Sequence, residues 1–337
     1  MAQGSDIGAE GSSPNAQRDQ TRGTVMITAL AGGVGAAKLL QGIVQIFPQE
    51  ELTVIVNTAD DIELHGLRIS PDIDILAYTL AGIVDESKGW GIRHDTFSCL
   101  QGLKEYGRDA WFALGDRDLA THIRRTELLR QGKTLTEATR EIAAHLGIYV
   151  NLLPMTDDEV TTMIDTAEGT IHFQEYLVKM RAEPEIRGIS FRGIEEARPS
   201  PGVLESIGRS EGVIICPSNP IVSIGPILSV RGIRKALAAG KSKVVAISPI
   251  VGGLPIKGPA DKMMRFLGVE VSALGVARLY ADVASRMIID EVDENLSGQI
   301  ESLGMKATVT NTVMKTMIDK IELSKVVLSL LGIGRRR

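Results

Sequence analysis

Short apolar runs alternate with segments of helical pattern along most of the chain. The runs Val25–Ala31 and Leu52–Val56 have the length and the Val and Ile content of buried strands. A glycine turn and a helical stretch from Ala36 to about Phe47 separate them, and Ser70-Pro71 opens a second helix, with Ser at the cap and Pro in the first turn. Further strands are predicted at Gly147–Leu153, Thr170–Phe173, Val213–Cys216, Lys243–Ser248 and Met287–Asp290. Strands that alternate with helices predict an α/β fold with a doubly wound, mostly parallel sheet.

Three helices are predicted in succession before residue 150, at Thr96–Tyr106, Asp118–Gln131 and Thr136–Leu146. They indicate a helical insertion at about 95–146 within a single α/β domain that spans 25–330. Residues 1–24 are polar, rich in Gly and Ser, and show no apolar period, so we expect a disordered tail there. Residues 331–337 end in three arginines and are expected to form a solvated basic tip.

Composition excludes several classes of function. The 337 residues carry a formal net charge of −5, with 37 Lys and Arg against 42 Asp and Glu. This balance argues against a nucleic-acid-binding protein, because a phosphate backbone selects clustered positive charge. No apolar run reaches the length of about eighteen residues that a membrane-spanning helix needs. Cys99 and Cys216 lie far apart without metal-ligand spacing, so we expect no disulfide and a reducing, cytoplasmic location.

A glycine-rich turn follows the first predicted strand. Strand, glycine turn and helix in this order bring backbone N–H groups and a helix N-terminus toward an anion, and they make Gly32, Gly33, Gly35 and Lys38 candidates for phosphate binding. The spacing fits neither a Walker loop, since no Ser or Thr follows Lys38, nor the dinucleotide fingerprint, in which Lys38 would have to be Gly. A tight turn that binds no ligand is the alternative interpretation.

Carboxylates cluster after the second strand and at the start of the next helix. Asp60 and Asp61 end the second strand, where a doubly wound sheet has its ligand crevice, and Asp72 and Asp74 follow Ser70-Pro71. Adjacent carboxylates repel one another, and hard oxygen ligands suit Mg²⁺ or Mn²⁺. The alternatives are an exposed turn, or an acid that hydrogen-bonds a ribose as in dehydrogenases. Asp72 is also explained by the helix dipole, which accounts for Asp74 less well.

Several later loops carry polar side chains of less certain purpose. Arg117 lies between two acids in a glycine turn and is either an internal ion pair or a fork that grips an anion, while Asp118 is expected to be a helix N-cap. His122 is more often a buried core histidine than a site residue. Two loops at predicted strand ends, 217–226 and 248–258, are rich in Gly, Pro and Ser, and with the first glycine loop they predict one ligand crevice. The candidate nucleotide-binding residues of the first of these loops are Ser218, Asn219, Ser223 and Gly225.

Taken together, these motifs resemble a known family. They occur in the order Ala31-Gly32-Gly33-Val34-Gly35, Val56-Asn57-Thr58-Ala59-Asp60-Asp61, Ser70-Pro71-Asp72-Ile73-Asp74, Gly89-Trp90-Gly91, Leu114-Gly115-Asp116-Arg117-Asp118 with Ala120-Thr121-His122, His172-Phe173-Gln174, Pro217-Ser218-Asn219-Pro220 and Ser223-Ile224-Gly225. The combination is similar to the 2-phospho-L-lactate transferases of coenzyme F-420 biosynthesis. The likeness runs from Val25 to about Asp290, and the residues beyond match poorly. The glycine loop departs from the Gly-Gly-Thr-Gly form of many members, having Val34 for Thr and Ala37 for Pro.

The resemblance implies a Rossmann-like core with a helical insertion, commonly dimeric, and a transfer that requires Mg²⁺. The donor would be lactyl- or enolpyruvyl-diphosphoguanosine, the acceptor the ribityl hydroxyl of the deazaflavin Fo, and the leaving group GMP. Carried over by motif, Asp74 and Arg117 would contact the deazaflavin, and Asp60, Asp61 or Asp74 would hold the metal. The loops at Gly32–Gly35 and Ser218–Gly225 would hold the guanosine diphosphate part.

The mechanism expected from this resemblance relies on alignment and charge neutralisation. One of the metal-site carboxylates, Asp74 first and Asp61 next, would orient or deprotonate the attacking hydroxyl. A rival hypothesis is a nucleotide-sugar-binding regulatory protein of the related gluconeogenesis-factor family. A nicotinamide-dependent dehydrogenase is a weaker third reading, disfavoured by Lys38. The Gly115–Asp118 segment and the long helical stretch favour the transferase.

Overall fold

The computed structural model of the protein describes residues 25–333. In these residues, seven parallel strands form a central sheet and the other strands form three small sheets. The strands are β1 (Ile27–Ala31), β2 (Leu52–Val56), β3 (Ile62–Leu64), β4 (Leu67–Ile69), β5 (Asn151–Pro154), β6 (Thr161–Thr166), β7 (Gly169–His172), β8 (Gly188–Arg192), β9 (Gly212–Ile215), β10 (Val244–Ile247), β11 (Ile250–Val251), β12 (Leu254–Pro255), β13 (Arg286–Ile289) and β14 (Lys306–Val309). The helices are α1 (Gly33–Ile43), α2 (Pro71–Leu80), α3 (Ser98–Glu105), α4 (Asp116–Arg130), α5 (Leu135–His145), α6 (Val203–Arg209), α7 (Ile224–Ser229), α8 (Ile233–Ala239), α9 (Ala260–Phe266), α10 (Ala273–Tyr280), α11 (Ser297–Ser302) and α12 (Met317–Leu330).

The strand order places a ligand crevice at the middle of the sheet. The order is β14-β13-β10-β9-β1-β2-β5, so the chain leaves β1 toward β2 and β5 and then returns to β9 on the other side of β1. This reversal between β1 and β9 is the point at which doubly wound sheets bind their ligands, beyond the carboxyl ends of the strands. The predicted α/β fold with a doubly wound parallel sheet is therefore confirmed.

The sheet is covered on both faces, as a parallel sheet requires. Every residue of β1, β2, β9 and β10 is buried. Alternate residues of β1 face opposite layers: Leu30 belongs to the core that includes Tyr280 of α10, and Ala29 to the core that includes Leu40 of α1. Continuous apolar runs such as Leu52–Val56 reflect this double burial.

Helix α12 and strand β14 were not predicted from the sequence. Helix α12 packs on α1 so closely that a Cβ at Gly42 would lie 2.3 Å from the Lys320 carbonyl oxygen, and Ser324 Oγ donates to the Leu39 carbonyl oxygen at 3.3 Å. Strand β14 is the sheet edge and is only partly buried, so its sequence lacks the apolar run of the central strands. Helix α12 therefore completes the layer around α1, while β14 extends the sheet beyond β13.

The segments outside the central sheet partly follow the predictions. Strand β7 was predicted, but it belongs with β6 and β8 to a small antiparallel sheet. Helices α3, α4 and α5 lie between α2 and β5, close to the predicted bounds. Within residues 25–333, every helix is too short or too polar to cross a lipid bilayer. The predicted tail at 1–24 and residues 334–337 of the predicted tip lie outside the described residues.

Candidate active site

A cavity of about 820 Å³ opens at the carboxyl ends of the central strands. It is lined by the loop after β1, the start of α2, the loop after β9 and the segment between β12 and α9. The predicted convergence of three strand-end loops on one crevice is thus observed. The sequence-predicted site residues that line it are Gly32, Gly33, Gly35, Lys38, Asp60, Asp74, Ser218, Asn219 and Ser223. Asp61, Arg117 and Gly225 do not line it.

The glycine loop is packed against the loop after β9. The Gly32 amide donates to Ser218 Oγ at 3.2 Å, and a Cβ at Gly35 would lie 2.1 Å from the Pro217 carbonyl oxygen. Gly33 has a φ of 72°, a conformation that side chains disfavour. No side chain caps the N-terminus of α1, and Gly32, Gly33 and Gly35 line the cavity beside the Asp72 carboxylate. A helix start of this kind suits an anion.

Two buried carboxylates, Asp60 and Asp72, line the cavity without a cationic partner. Asp72 accepts a hydrogen bond from Asn57 Nδ2 at 2.9 Å, and Asp60 Oδ1 has no hydrogen-bond partner. Burial, followed by the negative charges of Asp72 and Asp61, raises the pKa of Asp60 well above its usual value. Burial likewise raises the pKa of Asp72 to about 7. Within the described chain, Asp60 and Asp72 therefore lie in the cavity without an ion-pair partner, and burial opposes their ionisation.

Asp61 faces away from the cavity, although it adjoins Asp60 in sequence. Its Oδ2 accepts from the Ser70 hydroxyl at 2.7 Å and lies 3.4 Å from Arg68 Nε. Burial raises the pKa of Asp61 to about 6, against the opposing effect of Arg68. Ser70 is the N-cap residue of α2 as predicted, but its hydroxyl serves Asp61 and does not cap the helix.

Asp74 is paired with a buried arginine that the sequence analysis did not identify. Arg125 of α4, fully buried, donates to Asp74 Oδ2 from Nη1 at 3.1 Å and to Oδ1 from Nη2. His122 Nδ1 lies 3.6 Å from Asp74 Oδ2, and its Nε2 lies 3.1 Å from Asp118 Oδ1, which also accepts from the Tyr78 hydroxyl at 2.6 Å. A continuous polar network thus backs one wall of the cavity.

The missed residues carry a signal that is visible in the sequence. Asp118, His122 and Arg125 follow one another by four and then three positions on a predicted helix, which places them on one face. The spacing shows a shared face, but by itself it is equally typical of a solvent-exposed face, so burial of these residues was not predictable from it. The partners Asp74 and Tyr78 show the same four-residue spacing on α2.

The segment around Arg117 has a structural role. Asp95 accepts from the amides of Arg117 and Asp118 at 2.8 and 3.0 Å, while Asp116 accepts from the amides of Ser98 and Cys99 at 3.0 and 2.9 Å. The two helices α3 and α4 therefore cap each other. The expectation that Asp118 is the N-cap is wrong, because this exchange starts α4 at Asp116 with Gly115 as cap. The exposed Arg117 side chain donates to the Arg93 carbonyl oxygen at 3.2 Å.

Side chains of the loop after β9 have mixed roles. Asn219 Oδ1 accepts from the amides of Ile221 and Val222 at 3.0 and 3.3 Å, which holds the turn. Ser223 lies against the glycine loop, where a Cβ at Gly32 would be 2.8 Å from Ser223 Cβ. Asn219 therefore holds the loop in shape, while Ser223 limits residue 32 to glycine.

An aromatic and aliphatic wall completes the cavity. Trp90, Trp111 and Phe112 line it with Leu177 and Val178. Trp111 and Phe112 meet edge to face with their ring centres 5.5 Å apart. The cavity therefore combines an anion site with a flat apolar surface suited to a ring system.

The two unpaired carboxylates fit a divalent cation. In residues 25–333, no three His, Cys, Asp or Glu side chains converge as a metal-binding group. Asp60 and Asp72 alone would supply two oxygen ligands, which is the usual protein share of a Mg²⁺ site completed by water and substrate phosphates. Asp61 and Asp74 each already contact an arginine.

Comparison with known proteins decides the family. The profile described as 2-phospho-L-lactate transferase CofD matches residues 27–325. The chain belongs to this family. The match continues past Asp290 to residue 325, so the likeness extends further along the chain than expected and reaches into α12. The resemblance to 2-phospho-L-lactate transferases is confirmed, and the protein is a transferase; the regulatory reading is not favoured.

Relatives in the family support this placement over almost their whole length. The 2-phospho-L-lactate transferase of Methanosarcina mazei is 46% identical over 297 residues, covering 88% of this chain and 97% of that protein. The phosphoenolpyruvate transferase of Streptomyces griseus is 45% identical over 294 residues, covering 86% and 92%. A crystal structure of a UPF0052 family member from Bacillus halodurans matches with a TM-score of 0.59 at 14% identity, covering 90% of this chain and 99% of that one, and shows a shared fold.

Proposed function

We propose that the protein transfers the phospholactyl or phosphoenolpyruvyl group from lactyl- or enolpyruvyl-diphosphoguanosine to the ribityl hydroxyl of the deazaflavin Fo and releases GMP. Membership of the 2-phospho-L-lactate transferase family supports the reaction class. The single observation that carries the proposal is the composition of one cavity, where an uncapped helix N-terminus and an aromatic wall face the same space. Relatives named for each donor are 46% and 45% identical, so identity favours neither donor.

Each half of the cavity suits one substrate. The N–H groups at the start of α1 and the Ser218 hydroxyl are donors for a diphosphate. Trp90, Trp111 and Phe112 offer flat surfaces for a deazaflavin ring. Arg117, which the resemblance assigns to the deazaflavin, points to a backbone carbonyl in this structure, so we propose that its segment acts by holding α3 and α4 together.

We propose Asp60 and Asp72 as the residues that hold Mg²⁺, with Mn²⁺ as the alternative ion. Their burial without a cationic partner supports this choice over Asp61 and Asp74. A bound divalent ion supplies charge neutralisation at the diphosphate. Asp61 remains a predicted catalytic residue, and its contacts with Ser70 and Arg68 support a positioning role for the strand end.

The transfer requires the protein mainly to align the donor phosphate with the attacking hydroxyl. The ribityl oxygen forms a bond to the phosphorus that carries the lactyl or enolpyruvyl ester oxygen, the bond from that phosphorus to the oxygen bridging the two phosphates breaks, and the bridging oxygen leaves as part of GMP. Asp74 accepts a hydrogen bond from the attacking hydroxyl and then its proton, which passes to solvent. Arg125 supports this role, because its two hydrogen bonds hold the Asp74 carboxylate in place at the cavity wall.

A mixing experiment tests the proposal. The protein is incubated with Mg²⁺, Fo and either donor, and GMP is followed by chromatography. GMP that appears only when Fo is present supports the transferase. Binding of a uridine nucleotide sugar without turnover of either donor would overturn it in favour of the regulatory reading.

We further propose a cytoplasmic homodimer. Both cysteines are free, Cys99 exposed and Cys216 buried, which suits a reducing compartment. The dimer rests on the family resemblance alone. Sedimentation at micromolar concentration tests it, and a monomer at all concentrations would contradict it.

A further inference from the structure

Two lysines line the cavity beside the glycine loop. Lys38 lies on α1, and Lys257 lies on the segment between β12 and α9. Lys38 Nζ donates to the Met314 carbonyl oxygen at 3.1 Å, and Lys257 Nζ lies 3.5 Å from the Gly89 carbonyl oxygen. The partners of both ammonium groups in the described chain are thus backbone carbonyls, and neither forms an ion pair with the aspartates that line the same cavity.

The two ammonium groups are close enough to affect each other. Partial burial, and then the positive charge of Lys38, lowers the pKa of Lys257. Like charges that face one cavity without carboxylate partners cost free energy, and an anion between them removes that cost. A lysine ammonium is a compact charge that binds phosphate oxygens from several directions.

The Gly89-Trp90-Gly91 motif is explained by Lys257. Gly89 has a φ of 71°, and a Cβ there would lie 2.8 Å from Lys257 Nζ and 3.7 Å from Val34 Cγ1. Glycine at this position therefore leaves room for the ammonium group beside the glycine loop. The next residue, Trp90, lines the cavity, so Lys257 joins the anion side of the site to its aromatic side.

We propose that Lys257 and Lys38 bind the second phosphate of the donor, which is the phosphate to be transferred, and that Lys257 thereby fixes the Gly89–Trp90 segment at the cavity mouth. The identity of the anion rests on the proposed function. The placement of the lysines rests only on the geometry above. The glycine-loop amides remain available to the first phosphate, which GMP shares with the donor.

Calorimetric titration with GDP and with GMP, in a buffer containing Mg²⁺, tests this proposal. Lys257→Met is expected to weaken GDP binding about tenfold to hundredfold, the effect of losing one charge-assisted contact. It should leave the affinity for GMP within about twofold. Lys257→Arg should restore most of the affinity for GDP. Lys235→Met, at an exposed lysine on α8, is the matched control and should bind both nucleotides as the wild type does.

Three outcomes would overturn the inference: unchanged GDP affinity in Lys257→Met, an equal loss for GMP and GDP, or no GDP binding by the wild type. Thermal unfolding of each variant shows that it is folded. If the wild type transfers to Fo but Lys257→Met binds GDP normally, the lysine inference alone fails. If GDP binding depends on Lys257 but no donor is turned over, the proposed function alone fails.

Discussion

Arg125 on α4 and Asp74 on α2 form a two-point ion pair inside the protein, with Arg125 fully buried and Asp74 5% exposed. The pair joins the helical segment after α2 to the wall of the cavity. Because the guanidinium is a planar fork with fixed donors, it holds the carboxylate aligned where a substrate hydroxyl is proposed to bind. The same pair makes Asp74 a less suitable metal ligand than Asp60 or Asp72.

Breaking the pair from the arginine side is expected to destabilise the fold. Arg125→Met leaves a buried carboxylate without its partner, which costs about 3–5 kcal/mol in the free energy of unfolding. Urea denaturation measures this loss. Arg124→Met removes the neighbouring exposed arginine and is the control, expected to cost under about 1 kcal/mol. Equal losses in the two variants would contradict a special role for the Arg125–Asp74 pair.

Replacing Asp74 allows its contribution to stability to be measured separately from its contribution to turnover. Asp74→Asn leaves Arg125 buried and unpaired, so we expect a loss of stability together with a fall in turnover of at least about a hundredfold. The double variant Asp74→Asn with Arg125→Met should regain stability relative to the sum of the single losses, because no buried charge is left alone. Its turnover should stay low. Near-normal turnover in Asp74→Asn would remove Asp74 from the mechanism.

The close packing of the glycine loop predicts that no side chain is tolerated at Gly35 without a loss of stability. Gly35→Ala places a Cβ against the Pro217 carbonyl oxygen, so the two loops must move apart, at a cost of about 1–3 kcal/mol and with weaker nucleotide binding. Gly208→Ala, on α6 with no atom within 4 Å of its Cβ, is the matched control and should be neutral or stabilising by about 0.5–1 kcal/mol. Thermal unfolding and GDP titration compare them. Equal nucleotide affinity in Gly35→Ala and wild type would contradict the proposed anion site.

Local signals were enough to predict six of the seven strands of the central sheet. The apolar runs of β1 and β2, the glycine turn and Ser70-Pro71 are each short-range patterns, and the structure has a strand or helix at each. Strand β14 escaped prediction because an edge strand is only half-buried, and α12 because its apolar residues show almost no amphipathic pattern. The formation of both elements depends on packing against distant parts of the chain, which local sequence patterns do not show.

The candidate site was predictable only where a residue acts through its own loop. Glycines that let backbone N–H groups reach an anion are recognisable in the sequence, because they lie in a turn between a predicted strand and a predicted helix. The pairing of Asp74 with Arg125 depends on α4 packing beside α2, and that of Asp61 with Arg68 on the hairpin formed by β3 and β4. Adjacent aspartates in sequence therefore took opposite environments, one facing the cavity and one an arginine.

His172 is expected to make the fold sensitive to mild acid. Its Nε2–H donates to the Asp61 carbonyl oxygen at 3.1 Å and its Nδ1 accepts from the Gln174 amide at 3.0 Å, so the neutral ring is the one that fits. Burial lowers the pKa of His172. As pH falls below about 6.5, the unfolded chain takes up a proton that the folded chain resists, and stability falls with it.

Urea denaturation at pH 7.5 and pH 5 checks this pH dependence. The free energy of unfolding should fall less between the two values in His172→Gln than in the wild type. The exposed His145→Gln is the control and should keep the wild-type slope. A wild-type slope in His172→Gln would show that another group is responsible.

Asp60 and Asp72 are expected to lower the stability of the fold in the absence of Mg²⁺ while they provide its binding site. Both carboxyl groups have a higher pKa in the folded chain than in the unfolded chain, with that of Asp72 at about 7. At pH 8 the unfolded chain has both groups ionised in water, so each raised pKa lowers the stability of the folded chain. Asp60→Asn removes one charge, so without divalent ions its thermal midpoint at pH 8 should exceed that of the wild type by a few degrees, about 2–4 °C for each kcal/mol. Mg²⁺ should raise the wild-type midpoint, most clearly with GDP present, and should leave that of Asp60→Asn unchanged. Asp109→Asn, at an exposed aspartate paired with Lys179, should respond to Mg²⁺ like the wild type. An equal response to Mg²⁺ in Asp60→Asn and wild type would place the ion elsewhere.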